Sequence, residues 1–151
     1  MKSTLHIELL PLLDVLPDAG NAEDRARMAE VLDMYRPLYA RTGIQAPWTG
    51  YFVRFGGRIA GTCGFAGLPA DGEIEIAYWT FPEFEGKGIA QAACGELLEI
   101  VRRTDATLTV VAKTAPAFNA STSILKAHDF QQAGVVQDHE IGDAWKWIRK
   151  P

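Results

Sequence analysis

The sequence predicts an α/β protein built on a mixed, mostly antiparallel sheet with one parallel strand pair, flanked by helices. Three observations predict it. The alternating runs Tyr51–Phe55, Arg58–Leu68 and Glu73–Thr80 follow one another through turn signals at Gly56-Gly57 and Pro69-Ala70-Asp71-Gly72, so they read as antiparallel neighbours. The last run enters a glycine-bearing turn, Glu85-Gly86-Lys87-Gly88, and then an amphipathic helix to about Arg103. After that helix comes a continuous β-branched run, Thr107–Lys113, and a strand reached through a helix pairs parallel to the strand before it.

Taken in order, Thr4–Leu10 alternates loosely as a first strand ending at Pro11. Leu12, Leu13, Val15 and Leu16 form an apolar cluster before Pro17, and Asp18-Ala19-Gly20-Asn21 is a turn. Asn21 or Asp24 can cap a helix whose Ala26, Met28, Ala29, Val31, Leu32 and Tyr35 keep helical spacing as far as Arg36, before Pro37. Glu23, Asp24, Arg25, Arg27 and Glu30 lie mostly off that stripe and read as a solvated face. Leu38–Thr49 is a connector. The long helix from Gly88 sets Ile89, Ala93, Leu97, Ile100 and Val101 on one face. A further helix spans roughly Asn119–His128, and Ala133–Gln137 with Ala144–Arg149 closes the chain as a hairpin. Trp145, Trp147 and Arg149 share one strand face, and the Trp145/Trp147 edge is a place where a homodimer could pair.

A chain of 151 residues is expected to form one domain, 1–151, with a real core. A hydrophobic share of 48% with 23% charged residues fits a globular protein and excludes a disordered one. A net charge of −4 speaks against nucleic acid, which wants a basic face, and is compatible with an amine partner. Cys63 and Cys94 form neither a disulfide framework nor a metal spacing, and His6, His128 and His139 are scattered, so no metal is expected. Asp138-His139-Glu140 reads as an exposed turn. The start lacks a signal-peptide pattern and no apolar run reaches membrane-spanning length, so a cytoplasmic location without membrane contact is expected.

A strand that delivers a glycine-rich turn to a helix start can cradle a diphosphate, because the first-turn N–H groups are unused by the helix and the dipole is positive there. It can equally be a tight connection. Glycines at 86 and 88 remove the Cβ atoms that would bar a phosphate, and Lys87 adds charge at the rim. Neither the GxxxxGK[ST] loop nor the GxGxxG dinucleotide fingerprint fits these residues.

Glu85-Gly86-Lys87-Gly88-Ile89-Ala90, entered by Glu75-Ile76-Ala77-Tyr78-Trp79, resembles the acetyl-CoA motif of the GNAT N-acetyltransferases, in the branch of the ribosomal-protein N-terminal acetyltransferases. Glu85 stands where that family usually has Gln or Arg. The order of strands and helices is also the family's. The resemblance implies the acyl-CoA N-acyltransferase fold, with acetyl-CoA as co-substrate and an acetyl group moved directly to a primary amine on a peptide N-terminus or small molecule. It implies that the strands Glu73–Thr80 and Thr107–Lys113 splay. Trp79, Thr80 and Phe81 would then offer backbone to the pantetheine arm, and Gly86, Lys87, Gly88, Ile89 and Ala90 would hold the pyrophosphate. It makes Tyr35, Tyr39 and Trp48 candidate acceptor-pocket residues, with core packing as the alternative.

Amine acetylation needs a base for the ammonium proton and a way to tolerate the leaving thiolate. Glu73 and Glu75 share a strand face with Ala77 and Trp79, opposite Ile74, Ile76 and Tyr78. Glu75, deeper in the strand, is the expected base and Glu73 the second candidate; the alternative is that both face solvent. Phe118–Leu125 resembles the family's N-x-x-S-x-x-x-L segment, with Ser121 and Leu125 in place and Asn119 one residue from the expected asparagine. Asn119 and Ser121 are therefore cofactor and catalytic candidates, and helix capping accounts for both as well. The general-acid tyrosine of other branches would fall at Leu125 and is absent. These departures keep a second reading open, a CoA-binding regulatory or interaction module with little catalysis.

Overall fold

The computed structural model describes residues 5–12, 20–139 and 141–151. The expected strand at Thr4, the cluster at Leu13, Val15 and Leu16, most of the turn before Asn21, and Glu140 lie wholly or partly outside the described residues. The elements are β1 (Glu8–Pro11), α1 (Ala22–Thr42), β2 (Gly50–Phe55), β3 (Arg58–Phe65), β4 (Glu73–Thr80), a 3-10 turn (Pro82–Phe84), α2 (Ile89–Thr104), β5 (Thr109–Thr114), α3 (Ala120–Ala127), β6 (Gln131–Asp138) and β7 (Gly142–Arg149).

The strands form one sheet in the order β1-β2-β3-β4-β5-β7-β6. All neighbours are antiparallel except β4 and β5, which run parallel as expected. Gly56 and Gly57 both have positive φ (+57° and +78°), which suits the tight β2–β3 hairpin whose twist matches its strands. Ile74 and Ile76 of β4 are buried with Val110 and Ala112 of β5, and α2 packs on β3 and β4 through Ile89, Ala93, Leu97 and Val101.

Three expectations are corrected. Pro37 does not end α1, which runs on to Thr42 and is capped by the Gly43 N–H on the Tyr39 carbonyl. Proline removes one ladder donor and crowds the preceding turn. Pro37 lies on the exposed side, where water can serve the orphaned carbonyl, and the Tyr39 hydroxyl is anchored to Thr49 Oγ1 (2.9 Å) and the Gly50 N–H (3.1 Å). Secondly, Asp24 is no part of a solvated face. It is 1% exposed and accepts from the Ile59 N–H (2.9 Å) and from Arg58 (3.0 and 3.1 Å), fastening α1 to the start of β3. Asn21 alone takes the cap, accepting from the Asp24 N–H. Thirdly, β7 is not a sheet edge: β5 and β6 flank it, so Trp145 and Trp147 offer no free strand to a second copy. Trp147 is fully buried and donates from Nε1 to Thr114 Oγ1.

Candidate active site

Parallel pairing of β4 and β5 ends at Ile76 and Ala112, yet β4 continues to Thr80 beside β3, and β5 continues to Thr114 beside β7. The two strands therefore part at their C-terminal ends. Strand alternation fixes which groups face the opening. Glu75 O accepts from the Ala66 N–H and the Phe81 N–H donates to Ala60 O, so odd-numbered residues of this stretch turn their main chain to β3. Tyr78 and Thr80 are the ones turned to the gap. This corrects the expectation for two residues. Trp79 turns its carbonyl to β3, where a Cβ on Gly61 would lie 2.3 Å from it. Phe81 has both groups engaged, its carbonyl accepting from the Phe84 N–H.

The gap leads at one end to the glycine turn. Gly86 and Gly88 have φ of +79° and +82°, left-handed conformations that side chains resist. A Cβ at either would meet no protein atom within 4 Å, so the space above the turn is open. The α2 ladder begins with the Ala92 N–H on Gly88 O, which leaves the amides of Ile89, Ala90 and Gln91 ahead of it. No side chain caps this helix and no acidic residue occupies its first turn. An open, uncapped, anion-attracting helix start with exposed Lys87 beside it fits a diphosphate. The approach is held from behind: Arg27 pairs with Glu83 and lies over the Phe81 ring, and Arg58 reaches over Phe84.

A cavity of about 970 Å³ lies between α1, the Gly43–Gly50 connector, β3 and the same C-terminal stretch of β4. Tyr35, Tyr39 and Trp48 all line it, with Ala77, Tyr78 and Trp79 of β4. The extension of α1 past Pro37 is what brings Tyr39 there. Tyr35 and Tyr39 stack at 5.7 Å, and Trp48 packs edge-on to Phe65 at 5.0 Å.

Glu75 and Glu73 lie on the same β4 face as Ala77 and Trp79 but are not among the residues that line the cavity. Each meets a lysine: Glu75 Oε1 is 3.1 Å from Lys113 Nζ, and Glu73 is 3.6 Å from Lys146. Asn119 performs the capping, accepting from the Thr122 N–H (3.2 Å) while Thr122 Oγ1 accepts from the Asn119 N–H. Ser121 lies in the first turn of α3, where its carbonyl accepts from the Tyr78 hydroxyl at 3.1 Å.

Two residues by the gap escaped the sequence reading. Tyr78 spans from β4 to α3, and burial pushes its phenol well above the usual range despite the opposing Ser121 contact. Even β4 parity marked it as inward, and nothing marked it as lining the gap. His139, from the β6–β7 turn, lines the cavity although it is exposed. Only the folding of the hairpin brings it over. Burial also pushes the Cys94 thiol up to about 12 and the Cys63 thiol higher still. Among the described residues no group of three or more His, Cys, Asp or Glu could hold a metal. No described helix is long and apolar enough to cross a membrane.

The family model for the acetyltransferase (GNAT) domain matches residues 16–131. The chain belongs to the GNAT acetyltransferase family. No curated protein sequence matches it. Among solved structures, this GNAT chain is similar to the acetyltransferase from Salmonella typhimurium that modifies the N-terminal serine of ribosomal protein L7/L12. That likeness has a TM-score of 0.68 at 17% identity, over 99% of this chain and 96% of the other. The ribosomal L7/L12 α-N-protein acetyltransferase RimL in complex with coenzyme A gives 0.68 at 17% identity, over 98% and 95%. The microcin C7 self-immunity acetyltransferase MccE, with acetyl-CoA and AMP, gives 0.66 at 20% identity, over 83% and 71%. At these identities the likeness carries the fold: a GNAT sheet with its one parallel pair.

Proposed function

We propose that this GNAT chain transfers an acetyl group from acetyl-CoA directly to a primary amine, with Glu75 as the base. The observation that carries the reading is the parting of β4 from β5 beyond Ile76 and Ala112, on a strand that runs on to a diphosphate-fitting turn and also lines an acceptor-sized cavity. When bound, acetyl-CoA supplies an acyl carbon activated as a thioester. The main-chain groups of Tyr78 and Thr80 hydrogen-bond the pantetheine arm as an added strand would. N–H groups of residues 86–90 hold the pyrophosphate, with Lys87 at the rim. The Asn119 side-chain nitrogen, which the capping bond through its oxygen leaves unused, is the cofactor contact proposed for this residue.

Tyr35, Tyr39 and Trp48 wall the acceptor amine, a peptide N-terminus or a small molecule. Glu75, two residues before Ala77 on one face, removes the amine proton through an intervening water, with Lys113 fixing its carboxylate. Glu73 stands one strand pair further back. The amine nitrogen bonds to the acyl carbon, the carbon–sulfur bond breaks, and the sulfur leaves with the electron pair. Ser121, in the first turn of α3, offers its hydroxyl hydrogen to that sulfur, while the Tyr78 hydroxyl keeps its own hydrogen on the Ser121 carbonyl. A coenzyme thiol with a pKa of roughly 8.5 tolerates leaving unprotonated. Buried Cys63 and Cys94, with thiols pushed up, speak for direct transfer rather than an acyl-enzyme.

One observation favours a CoA-binding module instead: the Glu75 carboxylate meets Lys113 and lines no part of the cavity. Glu75→Gln separates the two. Retained coenzyme A binding with lost transfer supports the enzyme. Wild-type protein that binds coenzyme A yet acetylates nothing in a broad amine panel supports the module.

A further inference from the structure

Given the acetyl transfer proposed above, we infer that the acceptor is a monoamine whose single cationic nitrogen is carried on an uncharged aromatic or branched apolar body, not a polyamine, an aminoglycoside or an acidic peptide. The cavity walls decide this. Met34, Leu38, Trp48, Phe65, Leu68 and Trp79 are among its lining residues, and four of them are exposed: Met34 is 71% exposed, Trp79 55%, Leu68 50% and Leu38 40%. Among the described lining residues there is no Asp, Glu, Lys or Arg.

The polar groups of the wall are largely spoken for by the protein itself. The Tyr39 hydroxyl and Thr49 Oγ1 bond each other, Thr42 Oγ1 donates to Leu38 O and Gly43 O, and Gln45 Nε2 donates to Thr42 O. The carboxylates on the Trp79 face of β4, Glu75 and Glu73, carry lysine partners. A second ammonium entering this cavity would leave water without a counter-charge, and a carboxylate-rich peptide would meet no Lys or Arg, only the single imidazole of His139. One ammonium is accommodated, because the aromatic side chains of Tyr35, Tyr39 and Trp79 in the lining supply the π systems that attract a single cation. The volume of about 970 Å³ leaves room for a ring system behind the nitrogen.

The experiment compares kcat/KM for tryptamine, spermidine, kanamycin and an acidic tetrapeptide at fixed acetyl-CoA, in wild type and in Leu38→Asp. Tryptamine is expected to lead by about tenfold or more, since apolar walls discriminate on that scale. Leu38→Asp, at an exposed helical position, is expected to narrow the ratio by lowering tryptamine and raising spermidine. Transfer that favours spermidine, kanamycin or the peptide overturns the inference and leaves the acetyltransferase reading standing. If no amine is acetylated, the transfer reading fails by itself. Calorimetry of the same amines on the coenzyme A complex then decides the pocket, with preferential tryptamine binding sustaining its chemistry and preferential spermidine binding overturning it.

Discussion

Replacing Asp24 by alanine is expected to loosen the frame that holds both ends of the gap. The carboxylate is 1% exposed and serves the Ile59 amide, Asn21 and Arg58 at once. Removing it strands the Ile59 N–H, a buried donor worth about 1–3 kcal/mol when left unpaired. Arg58 is 40% exposed on its side chain, so water takes over much of its lost bonding, and only about 0.2–1 kcal/mol belongs to it. The sum is about 1–4 kcal/mol, to be read from the midpoint shift in urea unfolding at neutral pH. Asp24→Asn keeps an oxygen for Ile59 and should lose less. Burial alone pushes the Asp24 carboxyl up, but hydrogen bonds from Arg58, Ile59 and Asn21 outweigh it and hold it below its ordinary value. A depressed folded value means that this part of stability is complete above the unfolded carboxyl range and disappears as pH falls through the folded value. The wild-type and Asp24→Asn stability curves should therefore differ at neutral pH and converge in acid. A loss under about 0.5 kcal/mol for Asp24→Ala, the scale of a surface change, would refute the clamp.

Glu75→Gln is expected to lower kcat by about a hundredfold with coenzyme A affinity unchanged, the scale of a lost general base. His139→Ala provides the contrast: as a wall residue it should change KM for the amine and leave kcat alone, and a loss of kcat as large as that of Glu75→Gln would move the base to His139. Gly88→Ala should weaken coenzyme A binding about tenfold by calorimetry through the lost approach to one charge-assisted N–H. Its left-handed backbone adds about 1–2 kcal/mol of destabilisation in urea. Iodoacetamide should label neither cysteine in the native protein, since both thiols are buried with raised pKa, and mass spectrometry reads the adducts.

Strands and helices with strong periodicity were legible in the sequence. Glu73–Thr80 has the same bounds in the structure, and the parallel pairing of β5 followed from the helix before it. The aromatic residues Tyr35, Tyr39 and Trp48 were singled out, and all three line the cavity. What was hidden depended on tertiary contacts. Pro37 is a breaker by local rule, and α1 passes it because Tyr39 is held by Thr49 and Gly50, residues with no helical signal. Asp24 looks like any first-turn acid until Arg58 and Ile59 close on it. Which β4 main-chain groups face the gap is a matter of hydrogen-bond parity, and side-chain alternation does not disclose it. His139 reaches the cavity only through a hairpin turn.

Residue-resolved amide shifts on adding coenzyme A test the central claim most directly. Saturable perturbations are expected at Tyr78, Thr80 and the amides from Gly86 to Gln91, with Trp79 and Phe81 responding less because their main chain belongs to β3. Unmoved amides along β4 and the glycine turn at saturating coenzyme A, or shifts confined to another face of the sheet, would contradict the account.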